Sequence, residues 1–331
     1  FIDLSPWERV FFVARIVTSL MVVILAIVSL LSNIINDRFN QYTLTLAHVD
    51  VSAGLFTTLR SNIASSSSSY NPSNLNGVGF TASEIYVLSN YVATQVEGSP
   101  QFVASGLWSW CIGNYTVTYR TSGSAGDWVI DAGTTTFACD TAHANYVFDY
   151  RDMLSANGLD VILAYAYNGD DRDAEYLLFL AAMHRTKRVY VAGYVCVGVF
   201  QILILVATFV SYTRTKHRLL DESHFSLTPS STVGSPRVRS PTKPRKRTSD
   251  SLLHHGIAVL SLATVLASCV ASAVTTADAF TLQNRIADEL KSFGIMLVMG
   301  RRWFACIWIG FGAAAANAAL WGGPLWCANP T

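Results

Sequence analysis

Four long apolar stretches limit what this chain can fold into. Residues 10–35 are apolar apart from Arg15, Asn33 near the end and a few small hydroxyls. Residues 189–212 hold one strongly polar side chain, Gln201. Residues 256–277 are apolar and small, and residues 303–326 are apolar with Asn317 alone in the middle. Each exceeds the roughly 20 residues that carry a helix across about 30 Å of hydrocarbon. A helix satisfies its own backbone in lipid, so four spanning helices are the simplest reading. Only 14% of the 331 residues are charged, where a soluble domain carries roughly a quarter. The first stretch reads as a signal anchor, because its core is too long for a cleaved signal and no small-x-small site follows cleanly. The chain starts at Phe1 rather than Met, which leaves room for an upstream piece.

Charge orients the spans. Residues 213–250 carry nine Lys/Arg and three acids. Residues 37–175 carry five Arg and fourteen Asp/Glu. The positive-inside bias puts the basic connector in the cytosol and the long acidic segment outside, with both termini cytosolic. Arg185, Lys187, Arg188, Arg301 and Arg302 vote the other way. The expected order is a cytosolic N-terminus (residues 1–9), a first span (10–35), an extracellular domain (36–188) and a second span (189–212). A basic cytosolic loop (213–255), a third span (256–277), an outer extension and loop (278–302), a fourth span (303–326) and a cytosolic C-terminus (327–331) follow. The fold class expected is therefore an α-helical membrane protein. It would pair a four-helix transmembrane bundle with a large mixed α/β extracellular domain between helices 1 and 2.

Inside the long segment, alternation in residues 43–51 reads as a strand. Thr81 and Glu84 have capping-box spacing, with Ile85, Leu88 and Val92 on one helical face. Residues 65–79 read as a loop. The region around Trp108 reads as strand through Tyr119, then a turn at 122–126 and a return through 128–130 and 134–137. Cys196, Cys269 and Cys306 lie in spans, where a thiol behaves as a small hydrophobe. Cys111 and Cys139 are the even pair of the long segment, and an oxidising exterior would join them. Closing that loop is worth about 3–4 kcal/mol in the chain-entropy model. Asn114, followed by Tyr115 and Thr116, is the usable glycosylation sequon.

Other features are weaker. Asp170, Asp171, Asp173 and Glu175 cluster before the second span. A weak cation site is one reading, but the spacing does not match an EF-hand and a solvated loop is preferred. Ala263, Ala267, Ala271 and Thr275 recur every four residues in the third span, which lets helices approach closely. Leu282, Ile286, Leu290 and Phe293 keep helical spacing beyond that span, so the helix should project outward. Ser235, Ser240 and Thr248 sit in phosphorylation-like contexts in the basic loop, which should be disordered and could meet anionic inner-leaflet lipids. No Gly-x-Ser-x-Gly, His-Glu-x-x-His, Walker or Cys-x-x-Cys motif is present, so no enzyme activity, cofactor or metal is expected. No nucleic-acid partner or small-molecule substrate is expected either. Gln201 and Asn317 should hydrogen-bond between helices, and no acid or base deep in a span supports an autonomous pore.

Gly106, Leu107 and Trp108, followed by Cys111 and then Cys139, lie between the first two spans. Together with four spans, cytosolic ends and a large first outer loop, they resemble the claudin superfamily. The resemblance implies that the two cysteines are disulfide-bonded in an outer sheet and that the tryptophan anchors this sheet near the outer ends of the spans. Animal members have a shorter outer loop and no basic insert. The long loop is more similar to the fungal branch, with its cortical eisosome and pH-sensing tetraspans. Within that branch it is most similar to the claudin-like accessory proteins of the high-affinity calcium influx channel. The implied function is a non-enzymatic regulatory subunit whose partner is a larger plasma-membrane calcium channel subunit. The alternatives are a structural tetraspan that organises a cortical domain or wall linkage, and an adhesion or fusion factor.

Overall fold

The computed structural model describes residues 6–32, 39–47, 99–122, 125–159, 170–225 and 247–327, with a few single positions between them. In chain order the elements are α1 (Pro6–Leu30), β1 (Tyr42–Thr45), β2 (Phe102–Ser105), β3 (Trp110–Ser122) and β4 (Ala125–Cys139). Then come α2 (Tyr150–Ala156), α3 (Asp170–Phe225), α4 (Arg247–Leu290), a 3-10 turn, β5 (Met296–Met299) and α5 (Arg301–Cys327). Four of these helices are long and apolar enough to cross a membrane, over Arg9–Leu30, Ala174–Thr213, Leu252–Phe293 and Arg301–Gly323. At 1.5 Å per residue, the 56 residues of α3 run about 84 Å, well over twice the thickness of hydrocarbon. Thr81, Glu84 and the loop at 65–79 lie outside the described residues, as do Ser235 and Ser240.

The chain forms two compact units. The helical unit takes residues 1–27, 191–272 and 307–331. Its outward faces are apolar and its interior mixes polar with apolar side chains, unlike a soluble bundle's. Val17, Ile24, Phe209 and Leu266 are exposed, whereas Gln201, Thr264, Ser272 and Asn317 are buried. Lipid tails are as apolar as leucine, so such a bundle holds together by close packing and polar pairing rather than by burying apolar area. Both devices are present. A Cβ on Gly193 would lie 2.9 Å from the Cβ of Ala271, so the small-residue stripe of α4 packs inside this unit. Asn317 Nδ2 donates to Gln201 Oε1 at 3.1 Å, and Thr18 Oγ1 donates to Asn317 Oδ1 at 3.3 Å.

Arg15 has a backbone role in the same unit. Pro324 has no N–H, so the carbonyl of Leu320 lacks its normal helical donor four residues on. The Arg15 guanidinium replaces it, with Nη2 at 2.8 Å and Nε at 3.2 Å from that oxygen. The guanidinium also stacks 4.0 Å from the Trp321 ring.

The sheet unit takes residues 28–190 and 273–306. Its five strands are antiparallel in the order β4-β3-β2-β1-β5. Leu44 and Val103 point from the sheet into a core with Leu154, Leu159, Leu282, Ile286 and Leu290. The Leu282, Ile286, Leu290 and Phe293 stripe is fully buried there, which is why α4 continues past the apolar stretch. Asp149 caps α2, accepting from the backbone N–H of Arg151 and Asp152 at 3.1 and 3.0 Å. At the end of α4, Gly294 takes a left-handed φ of 76° and turns the chain into β5. Gly300 is needed where β5 leaves the sheet, because a Cβ there would meet the carbonyl oxygen of Asn40.

Several boundaries differ from the sequence reading. The helix α1 ends at Leu30, before the apolar stretch does. The strand β1 is four residues long rather than extending to residue 51. The return strand is one continuous element of 15 residues. The acidic cluster from Asp170 begins α3 instead of forming a loop. Carboxylates are favourable there, because the first N–H groups of a helix lack acceptors.

Candidate functional site

The Gly106-Leu107-Trp108 turn joins β2 to β3 and closes on the end of α1. Gly106 N donates to Ser109 O at 2.9 Å, which makes the turn. Leu107 is buried, and its N–H donates to Ser32 Oγ at 3.2 Å. The Trp108 indole donates to the carbonyl of Leu30 at 2.5 Å, and the Trp303 indole donates to the carbonyl of Ser29 at 3.2 Å. The last carbonyls of a helix have no intrahelical donor. Two indoles thus complete the end of α1, one from the motif and one from the first turn of α5. An indole has an apolar body and one N–H, which suits this position at a helix end beside apolar surface.

The motif is held from behind. His143 N donates to Trp108 O at 2.8 Å, and Asp140 N donates to Trp110 O at 2.9 Å. Cys111 and Cys139 are directly paired across β3 and β4 and joined by a disulfide. Cys111 is fully buried and Cys139 exposed. Lys187 of α3 packs under the turn, with Nζ 4.7 Å from the Trp108 ring centroid. The same nitrogen donates to Tyr146 O at 2.5 Å. The Tyr146 and Ser105 hydroxyls are hydrogen-bonded at 2.7 Å. Burial pushes the Tyr146 phenol well above its ordinary range, and the Ser105 bond opposes this only in part.

A second cluster ties α2 to α3 and α4. Tyr176 OH donates to Asp149 Oδ1 at 2.5 Å, and Arg151 stacks 3.8 Å from the Tyr176 ring. Glu289 accepts from Tyr150 OH and from Arg285 Nε, the latter at 2.9 Å. Arg285 also pairs with Glu175 at 3.3 Å, so this member of the acidic cluster faces a guanidinium. Among the described residues no group of three or more His, Cys, Asp or Glu is placed to hold a metal. Asn114 is exposed on β3, with Oδ1 accepting from Gln101 N at 3.0 Å. Thr248 stands in the first turn of α4.

The turn, the disulfide and the indole cap bring Gly106, Leu107, Trp108, Cys111 and Cys139 into one assembly. The sequence reading missed Lys187, Ser32 and Trp303. Lys187 shows in sequence only as a cation flanking a span, and Trp303 as the start of an apolar run.

Fold and motif define a claudin-like tetraspan membrane protein. The family model described as SUR7/PalI family matches residues 9–320, and the chain belongs to that family. It is 27% identical over 333 residues to Protein ECM7 of Saccharomyces cerevisiae (strain ATCC 204508 / S288c). That alignment covers 99% of this chain and 68% of the relative. No solved structure matches the chain.

Proposed function

We propose that this protein is a non-enzymatic regulatory subunit of a plasma-membrane calcium influx channel. It crosses the membrane four times with both ends in the cytosol. The sheet unit lies outside the cell, where its disulfide and a glycan on Asn114 belong. The basic connector lies inside, where anionic lipids attract it and phosphorylation of Ser235, Ser240 or Thr248 would weaken that attraction. The observation carrying this reading is the Gly-Leu-Trp turn with its cysteine pair, in the setting most similar to claudin-like channel accessory proteins. Such a subunit needs no catalytic group, because it acts by contacts that bias a partner between states.

A structural tetraspan of the cortex is the second reading, favoured by the match to the SUR7/PalI family over residues 9–320. Purification of the tagged chain in mild detergent, paired with calcium uptake in a deletion strain, separates the two. The channel reading expects a large channel subunit in the eluate and reduced uptake on deletion. Wall or cortical proteins in the eluate, with normal uptake, would sink it.

A further inference from the structure

The part of α3 that belongs to the sheet unit has two unlike faces. Tyr176, Met183 and Lys187 are buried on one of them. The other carries Leu177 and Leu178, which are 65% and 72% exposed. Ala181 is exposed one turn further on, and Arg185 and Arg188 are exposed beyond it. Single exposed apolar residues are ordinary, whereas adjacent ones rimmed by charge mark a contact surface.

Height decides what can cover this face. The apolar stretch of the second span begins at Val189. With the topology proposed above and 1.5 Å per residue, Arg188 and Arg185 stand about 2 and 6 Å outside it, within a head-group layer of about 5–8 Å per side. Leu178 is eleven residues before Val189. It stands about 16 Å out, where lipid does not reach. Lipid therefore leaves the two leucines to water, and their cover has to be protein.

Charge narrows the choice further. Among the described residues no acid pairs with Arg185, and Arg188 Nη2 meets only His184 Nε2 of its own helix, at 2.8 Å. A second copy fits poorly. Two copies cross the membrane in the same sense, so a two-fold contact through this face sets Arg185 and Arg188 against their own mates. Like charges so placed repel. A partner with acids at that level gains where a second copy loses.

We infer that the outward face of α3, from Leu177 to Arg188, is the contact surface for a different protein anchored in the same membrane. That partner sets apolar surface against Leu177, Leu178 and Ala181. It sets Asp or Glu side chains, at head-group level, against Arg185 and Arg188. Reaching that level is what requires a membrane anchor. The inference rests on the channel reading proposed above and names the surface that would meet that partner.

A photoreactive phenylalanine analogue in place of Leu178 of the full chain, irradiated in intact cells, tests it once the adduct peptides are sequenced. The expected adduct is with a channel subunit, in an extracellular segment adjoining a spanning helix that carries Asp or Glu at its outer end. Arg185→Glu should cut the adduct yield about tenfold, the equivalent of one lost charge pair. Arg185→Lys should keep it. Equal amounts of each variant at the cell surface show that the change in yield is not misfolding. An adduct of the same acidic kind with a membrane protein that is not a channel keeps the surface and sinks the channel reading. Adducts with a second copy, with residues of the same chain, with a secreted protein or with lipid alone overturn the inference. No adduct at all, or a yield indifferent to Arg185→Glu, overturns it too.

Discussion

The helical unit and the sheet unit bury different proportions of polar and apolar side chain. The helical unit turns Gln201, Asn317, Ser272 and Thr264 inward beside Ile204, Ile257 and Trp321, and leaves Val17, Ile24, Phe209 and Leu266 outside. The sheet unit does what a soluble domain does, gathering Leu44, Leu154, Ile286 and Phe293 into one core. The difference is the one expected if the helical unit meets lipid and the sheet unit meets water. In water, burying apolar area drives association and large side chains are the best core residues. In lipid that drive vanishes, so small residues and polar pairs take over. The two units also complete helix ends differently. The end of α1 is finished by indoles from Trp108 and Trp303, whereas the carbonyl freed by Pro324 in α5 is finished by Arg15.

The comparison is tested most severely at Trp108, which belongs to the motif and to the helix cap at once. Trp108→Ala should cost about 3–5 kcal/mol, as for other large aromatic truncations. Trp108→Phe keeps the ring over Lys187 and loses the bond to Leu30 O, at about 1 kcal/mol. Thermal unfolding in detergent reads both. Equal effects would mean that the indole N–H, rather than packing, carries the whole contribution.

The disulfide comes next. Cys111→Ser and Cys139→Ser should behave alike, each losing about 2–5 kcal/mol and reducing surface arrival. Sharply different single mutants would break the pairing. In the helical unit, Arg15→Met should cost about 1.5–3 kcal/mol through the lost charged bond to Leu320 O. Pro324→Ala restores the helical donor, so Arg15→Met should cost less in that background. A double-mutant cycle measures this coupling, and strict additivity would remove the role given to Arg15.

Much of the helical unit was readable from residue type and spacing. The length of the apolar runs marks the spans, and lone amides such as Gln201 and Asn317 need one another in hydrocarbon. The Leu282, Ile286, Leu290 and Phe293 spacing shows the helix continuing. The sheet was less readable because its pairings are distant in sequence. The strand β5 pairs with β1 across some 250 residues of chain, Leu297 opposite Leu44, and no local pattern encodes that. The acidic run at Asp170 looks like a loop by composition, yet the same charges suit a helix start. In the site, the motif and cysteines were visible as residue types. Lys187 was not, because a lysine beside a span has the same local appearance whether it marks topology or supports a tryptophan.

We propose that the two units meet different solvents, with the sheet unit outside the cell. Protease added to intact cells, with fragments mapped by tags on either side of residues 213–250, tests this most directly. The account predicts that the connector is spared until the membrane is permeabilised. Cleavage within residues 213–250 of sealed cells would contradict it.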